Sequence, residues 1–168
     1  KGDYKGAVEC FEKSGRQTVD YAFALVDYAG QLSGNSDFER AFDYQCLAVR
    51  IFIDSLGGNY YETIEAANLW AIYSYRCNRI DYATQIGLDV IKLYKTYFSE
   101  TDANYGNYCM NYARYCEAAG NYTEAIEYSK KHIEICEKLE GTNSNSYIEE
   151  LCNQCNDYCF LYNRSKAN

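Results

Sequence analysis

The sequence predicts an all-α protein, a solenoid of antiparallel helix pairs with about eight helices in 168 residues. Three observations carry this. Ala41, Ala83 and Ala125 recur at a spacing of 42 residues, with Phe38, Ile80 and Tyr122 in step three residues earlier. A fixed period of this size marks units that bury their apolar faces only against their neighbours. There is no Pro, so long helices can run uninterrupted. In the clearest unit, Gly120 to Gly141, Ala125, Ile126, Ser129, His132, Ile133, Cys136 and Leu139 keep a helical rhythm that Gly141 stops.

Taken in order, Gly2-Asp3-Tyr4-Lys5-Gly6-Ala7 repeats the start of the clearest unit. It opens a helix through Phe11 to about Ser14, closed by Gly15, a partial unit over 1–15. From Ala7 to Ala41 the interval is 34 residues, shorter than the later ones by about two helical turns. The next unit, about 18–57, has a first helix from Thr18 to Ser33 with Leu25, Tyr28, Ala29 and Leu32 on one face, and a second from Asp37. One period on, in the unit at about 60–99, the same places hold Ala67, Trp70, Ala71 and Ser74, and the second helix starts near Ile80. Another period on, at about 102–141, they hold Cys109, Tyr112, Ala113 and Cys116. The second helix there starts at Tyr122, with Asn121 and Glu124 spaced as a capping box. A truncated unit over 144–168 carries a helix from about Ser146 to Tyr162.

The recurrent Ala of the first helices lets two helices approach closely, and the aromatic beside it fills the adjoining space. The second helices carry parallel core rows, Tyr44/Ile86/Tyr128, Ala48/Val90/His132, Ile51/Leu93/Ile135 and Ser55/Tyr97/Leu139. No low-complexity linker divides the chain, so 1–168 is expected to be a single solenoid. Lys1 opens directly on a repeat helix, which suggests a piece of a longer protein.

Twenty Tyr give much of the apolar surface a hydroxyl that must reach water or a partner. The net charge of −8 argues against a nucleic-acid partner. Nine Cys, an odd number at helical core spacings, point to free buried thiols and a reducing compartment, the cytoplasm. No run approaches the roughly 18 apolar residues of a membrane span.

Little in the chain invites chemistry. Cys152, Cys155 and Cys159 are spaced so that three thiolates could face one way on a helix, but no fourth ligand accompanies them and unrelated packing cysteines explain the pattern. His132 is the only His, and its counterparts Val90 and Ala48 read as core. Glu124, Glu127, Glu134 and Glu137 read as a solvated face with Lys130, Lys131 and Lys138 nearby. Trp70 falls in the packing row with Tyr28 and Tyr112, so it reads as a core aromatic. No enzyme activity, cofactor or metal is expected.

Helix pairs with a small residue and an aromatic in the first helix, joined to a Gly120-Asn121-Tyr122-x-x-Ala125 turn, resemble the tetratricopeptide repeat (TPR). The 42-residue units, with second helices such as Ala125 to Ile135, are similar to the longer repeats of kinesin light chains. The unit around Ile80 departs from the pattern, with Asn78 where Gly would stand and Gly87 inside the helix, and the usual inter-repeat Pro is absent. The resemblance implies a right-handed superhelix whose first helices line a concave groove that binds a peptide, a partner segment or another domain of the same protein. It places Phe23, Val26 and Gly30 on that face, then Glu65, Asn68, Ile72, Tyr75 and Arg76. Asn107, Met110, Asn111 and Arg114 follow, then Glu149, Cys152, Asn153 and Asn156. Asn68 matches the Asn that grips a ligand backbone in the kinesin light chain type, and Arg76 and Arg114 would favour a ligand with an acidic residue. The alternative function is a structural spacer, or an element that self-associates through its uncapped ends.

Overall fold

The computed structural model describes residues 3–15 and 17–167, with side chains except at 146 and 162–167. Among these are eight helices: α1 (Tyr4–Ser14), α2 (Val19–Gly34), α3 (Phe38–Ser55), α4 (Tyr61–Arg76), α5 (Ile80–Tyr97), α6 (Ala103–Ala118), α7 (Tyr122–Glu140) and α8 (Asn145–Ala167). No strand occurs among the described residues. The fold is an all-α helical repeat, as the period predicts.

The chain divides into two compact units, Lys1–Ile86 and Gly87–Asn168, with the border inside α5. In unit 1 each helix from α1 to α4 packs on the next, around a core that includes Val8, Leu25, Ala29, Ala41, Ala48 and Phe52. In unit 2 α7 packs between α6 and α8, and Val90, Ile91 and Tyr94 of α5 are buried. The small-residue rows behave as expected, since Ala29, Ala71 and Ala113 and likewise Ala41, Ala83 and Ala125 are all buried.

The 42-residue period extends to the backbone of the turns. Ser36, Asn78 and Gly120 each adopt a left-handed conformation, at φ 63°, 59° and 76°. The amide that follows each one, on Asp37, Arg79 and Asn121, reaches back to the carbonyl of Leu32, Ser74 and Cys116 at 2.9, 2.9 and 2.8 Å. These are Schellman-type closures, and Asn tolerates the left-handed region better than most side chains. Asn78 therefore keeps the turn of the unit around Ile80 intact. First-helix starts repeat as well. Thr18, Asp102 and Ser144 accept from the amides of Tyr21, Tyr105 and Tyr147 at 3.3, 2.9 and 3.2 Å, whereas Tyr60 at the equivalent place has no side-chain cap.

Several expectations need correction. Asn121 accepts no capping bond from its helix; its amide Nδ2 donates to Glu124 Oε2 at 2.6 Å. Glu124 is in turn not a solvated surface group, because the Tyr112 hydroxyl donates to its Oε1 at 2.8 Å. The row Ser55/Tyr97/Leu139 lies outside the core: all three are exposed, Leu139 by 55%. Each stands in the last turn of its helix, where the neighbouring first helix no longer covers it. Of nine free thiols only Cys109, Cys116 and Cys136 are buried, while Cys10, Cys152, Cys155 and Cys159 are exposed.

Gly87, an oddity in sequence, has a steric reason. A Cβ there would lie 3.0 Å from Tyr115 Cδ2 and 3.3 Å from Tyr112 Cδ2. Trp70 packs against Phe42 with ring centres 5.8 Å apart, as a core aromatic should. Its indole Nε1 is buried without a hydrogen-bond partner among the described residues.

Candidate interaction groove

Each unit holds a cavity built by the same repeat positions. In unit 2, Asn107, Met110 and Arg114 follow one another at helical spacings of three and four, so α6 presents all three on one face. Across from them α7 presents His132, Ile135, Cys136 and Leu139, and α8 adds Glu149 and Glu150; the cavity, open to solvent, has a volume of about 240 Å³. In unit 1 the counterparts two periods earlier, Phe23, Val26, Phe52, Glu65 and Ala66, line a cavity of about 250 Å³ together with Leu69. The two cavities match in position and size but not in chemistry. Unit 1 is floored by aromatic and aliphatic groups, with Glu62 and Glu65 as its charged lining. Unit 2 has an amide, a guanidinium and carboxylates around an apolar floor.

In unit 2, Arg114 Nη2 stands 3.9 Å from Glu149 Oε1. Glu150 is only 2% exposed, and its carboxylate accepts from Ser129 Oγ at 2.7 Å and from Asn153 Nδ2 at 3.2 Å. Buried His132 places Nδ1 2.9 Å from the Gly106 carbonyl, which can only accept. Nδ1 therefore carries the proton, and Nε2 is left as an acceptor 3.3 Å from Cys136 Sγ. A thiol beside an imidazole resembles a nucleophile with its base, but burial, followed by Glu140 and Glu150, pushes the Cys136 thiol up. The thiolate is thereby disfavoured, and it is the bond from His132 to Gly106 that holds α7 against α6.

Of the residues expected on the groove face, Asn107, Met110 and Arg114 come together in the unit 2 cavity. Asn153 stands behind its wall as a donor to Glu150, and Asn111 is half-buried on α6 without lining it. Of the expected α4 residues, Glu65 lines the unit 1 cavity, whereas Asn68, Ile72, Tyr75 and Arg76 line neither. Asn68 is 8% exposed and donates to Glu65 Oε1 at 3.3 Å, Ile72 packs on the unit 1 core and Tyr75 is half-buried. Arg76 is exposed with its guanidinium 5.8 Å from the Phe38 ring. Sequence reasoning misses the second-helix contribution from α7. Its spacing is visible, but the same stripe serves the core, and only the packing shows where the two overlap.

Neither a protein-family model nor a curated protein matches the sequence. Solved structures do. A candidate kinesin light chain of Podosopora anserina with nearly identical TPR-like repeats superposes with a TM-score of 0.82 at 15% identity, over 98% of this chain and 78% of that one. Its Q17M form gives 0.83 at the same identity and coverage. The fold is a TPR-like helical repeat. BtubC (BKLC) from P. vanneervenii is also similar, with a TM-score of 0.73 at 18% identity over 84% of this chain and 57% of that chain.

Among the described residues no three His, Cys, Asp or Glu side chains are placed to hold a metal ion, and Cys152, Cys155 and Cys159 are simply exposed along α8. No described helix is long and apolar enough to cross a membrane.

Proposed function

We propose that the chain is a protein-interaction module that holds a peptide or a partner segment, from another protein or from its own parent, against the first helices of its repeat units at about 18–57, 60–99 and 102–141. The observation that carries this reading is the recurrence of one cavity at equivalent repeat positions in both units, each walled by first-helix side chains. Asn107, Met110 and Arg114 are the contacts of the second unit. Asn68, Ile72, Tyr75, Arg76, Asn111 and Asn153 belong to the same face by repeat position, with Asn68 as the backbone grip. A net charge of −8 supports a polypeptide rather than a nucleic-acid partner. Nine unbridged thiols support a reducing home such as the cytoplasm. Selection from a displayed library of random decapeptides tests the reading. Selected peptides should bind Asn107→Ala and Arg114→Ala more weakly by about 1–3 kcal/mol each, and Glu127→Lys, on the exposed side of α7, as well as wild type. The reverse pattern sinks it.

A second reading, self-association or spacing, is favoured by Ile148, Tyr158 and Phe160, which are exposed on α8. Light scattering that finds only monomer at high concentration would remove it.

A further inference from the structure

We infer that the unit 2 cavity is a cation pocket that takes a Lys or Arg side chain of the bound peptide. The inference rests on the groove reading and specifies the ligand chemistry of that groove. It reverses the acidic preference that Arg76 and Arg114 suggest when read as residues alone.

The wall of the cavity carries Glu150, almost wholly buried, with two neutral donors, Ser129 and Asn153. Each carboxylate oxygen can accept more than one hydrogen bond, so both keep capacity. Among the described residues no cation is paired with it. A buried carboxylate without a compensating charge is unfavourable, and a ligand cation that enters the cavity relieves that cost. Glu140 and Glu149 line the same cavity, whose one lining cation among the described residues, Arg114, stands 3.9 Å from Glu149. Three carboxylates thus face one guanidinium. Met110, Ile135 and Leu139 offer apolar contact to the methylene stem of a long basic side chain while its head meets the carboxylates. The equivalent cavity of unit 1 keeps carboxylates at Glu62 and Glu65, but it has Ala66 where Glu150 stands and Phe52 where Cys136 stands, so it lacks the counterpart of the buried Glu150. The preference belongs to unit 2, and unit 1 is its internal control.

Met110 is the only Met and His132 the only His, so a 13C-methyl-methionine label and the imidazole signals report from this cavity alone. Titrating the whole chain with N-acetyl-arginine N-methylamide should shift both signals with saturation on the order of millimolar. The neutral citrulline analogue and N-acetyl-glutamate N-methylamide should not. Glu150→Gln should weaken the arginine probe by about tenfold. Because a buried substitution can disturb folding, Glu140→Gln with Glu149→Gln on the rim should weaken it as well, with an unchanged melting curve. Equal response to citrulline, a response to glutamate only, or undiminished arginine binding by all these variants overturns the pocket. In the decapeptide selection, peptides that bind through Asn107 without enrichment in Lys or Arg would remove the cation pocket and leave the groove. An arginine response with no peptide selected would remove the groove and leave the pocket.

Discussion

The Tyr112 hydroxyl donates to Glu124 Oε1 at 2.8 Å from a ring that is 1% exposed. The pair joins the packing face of α6 to the first turn of α7. Two periods earlier the Tyr28 hydroxyl accepts from Arg40 Nη2 at 2.9 Å across the equivalent helix pair, α2 and α3. The repeat therefore conserves the tie while exchanging an anion for a cation at its outer end. Burial first, and then the bond to Glu124, raise the Tyr112 hydroxyl above its ordinary value, so it remains a donor. Tyr112→Phe should cost about 1.5–3 kcal/mol, the usual range for a hydrogen bond to a charged group. Equilibrium urea denaturation checks this, and a double-mutant cycle with Glu124→Gln showing no coupling would mean the bond is incidental.

Three helical glycines should respond to Ala in opposite directions. Gly to Ala inside a helix is worth about 1 kcal/mol in favour of Ala when nothing else changes. At Gly30 nothing lies within 4 Å of an added Cβ, so the variant should gain up to about that amount. At Gly87 the Cβ meets the buried Tyr115 ring at 3.0 Å, and at Gly106 it meets Ile135 Cγ2 at 3.2 Å and His132 Nδ1 at 3.3 Å. Neither neighbour can swing into solvent. Overpacking of about 1–3 kcal/mol should outweigh the propensity gain at both sites. Thermal melts in which all three variants stabilise would contradict the packing described.

Tyr60 stands where Thr18, Asp102 and Ser144 cap their helices, yet offers no cap to α4. Its ring is exposed, so replacing it sacrifices little buried area. Tyr60→Asp should add the missing acceptor and place a negative charge at a helix N-terminus, for a gain of about 1 kcal/mol. A denaturation midpoint that stays put or falls would show that the extended backbone at this residue does not present the side chain to the first turn.

Helix number and the two Ala rows were legible because each depends on a local or periodic signal. Ala83 needed only its place in the period, whereas Asn78, which reads as a departure from the pattern, keeps the left-handed turn at φ 59°. The capping box at Asn121 was not legible, since Glu124 had a competing partner in Tyr112, which lies on the preceding helix. Leu139 matched the core rhythm, but rhythm does not say where the covering helix ends. Asn107, Met110 and Arg114 could be placed on a face from repeat position, whereas the buried carboxylate of Glu150 and the bond from His132 to the Gly106 carbonyl required the packing of α6, α7 and α8.

Asp157 supplies a pH dependence of definite sign. It is buried on α8, and burial, followed by Glu117 of α6 and Glu150 of α8, raises its carboxyl from 3.8 to about 6. Between those values the folded chain holds the proton that the unfolded chain has lost, so folding binds more protons and stability falls as pH rises. The contribution is intact below the unfolded value of 3.8 and is lost by the time pH passes about 6. Above that range the fold carries a buried charge that its neighbours disfavour. Asp157→Asn removes the charge and keeps the shape. It should match wild type near pH 4 and exceed it by roughly 1–3 kcal/mol at pH 7, because each tenfold difference in proton affinity between the folded and unfolded chain is worth about 1.4 kcal/mol. The difference between variant and wild type is the quantity to follow, since it cancels the titration of every other carboxylate. Urea denaturation at a series of pH values measures it. A difference that stays constant from pH 4 to 7, or one that favours wild type at pH 7, would show that Asp157 is ionised at no cost in the folded chain.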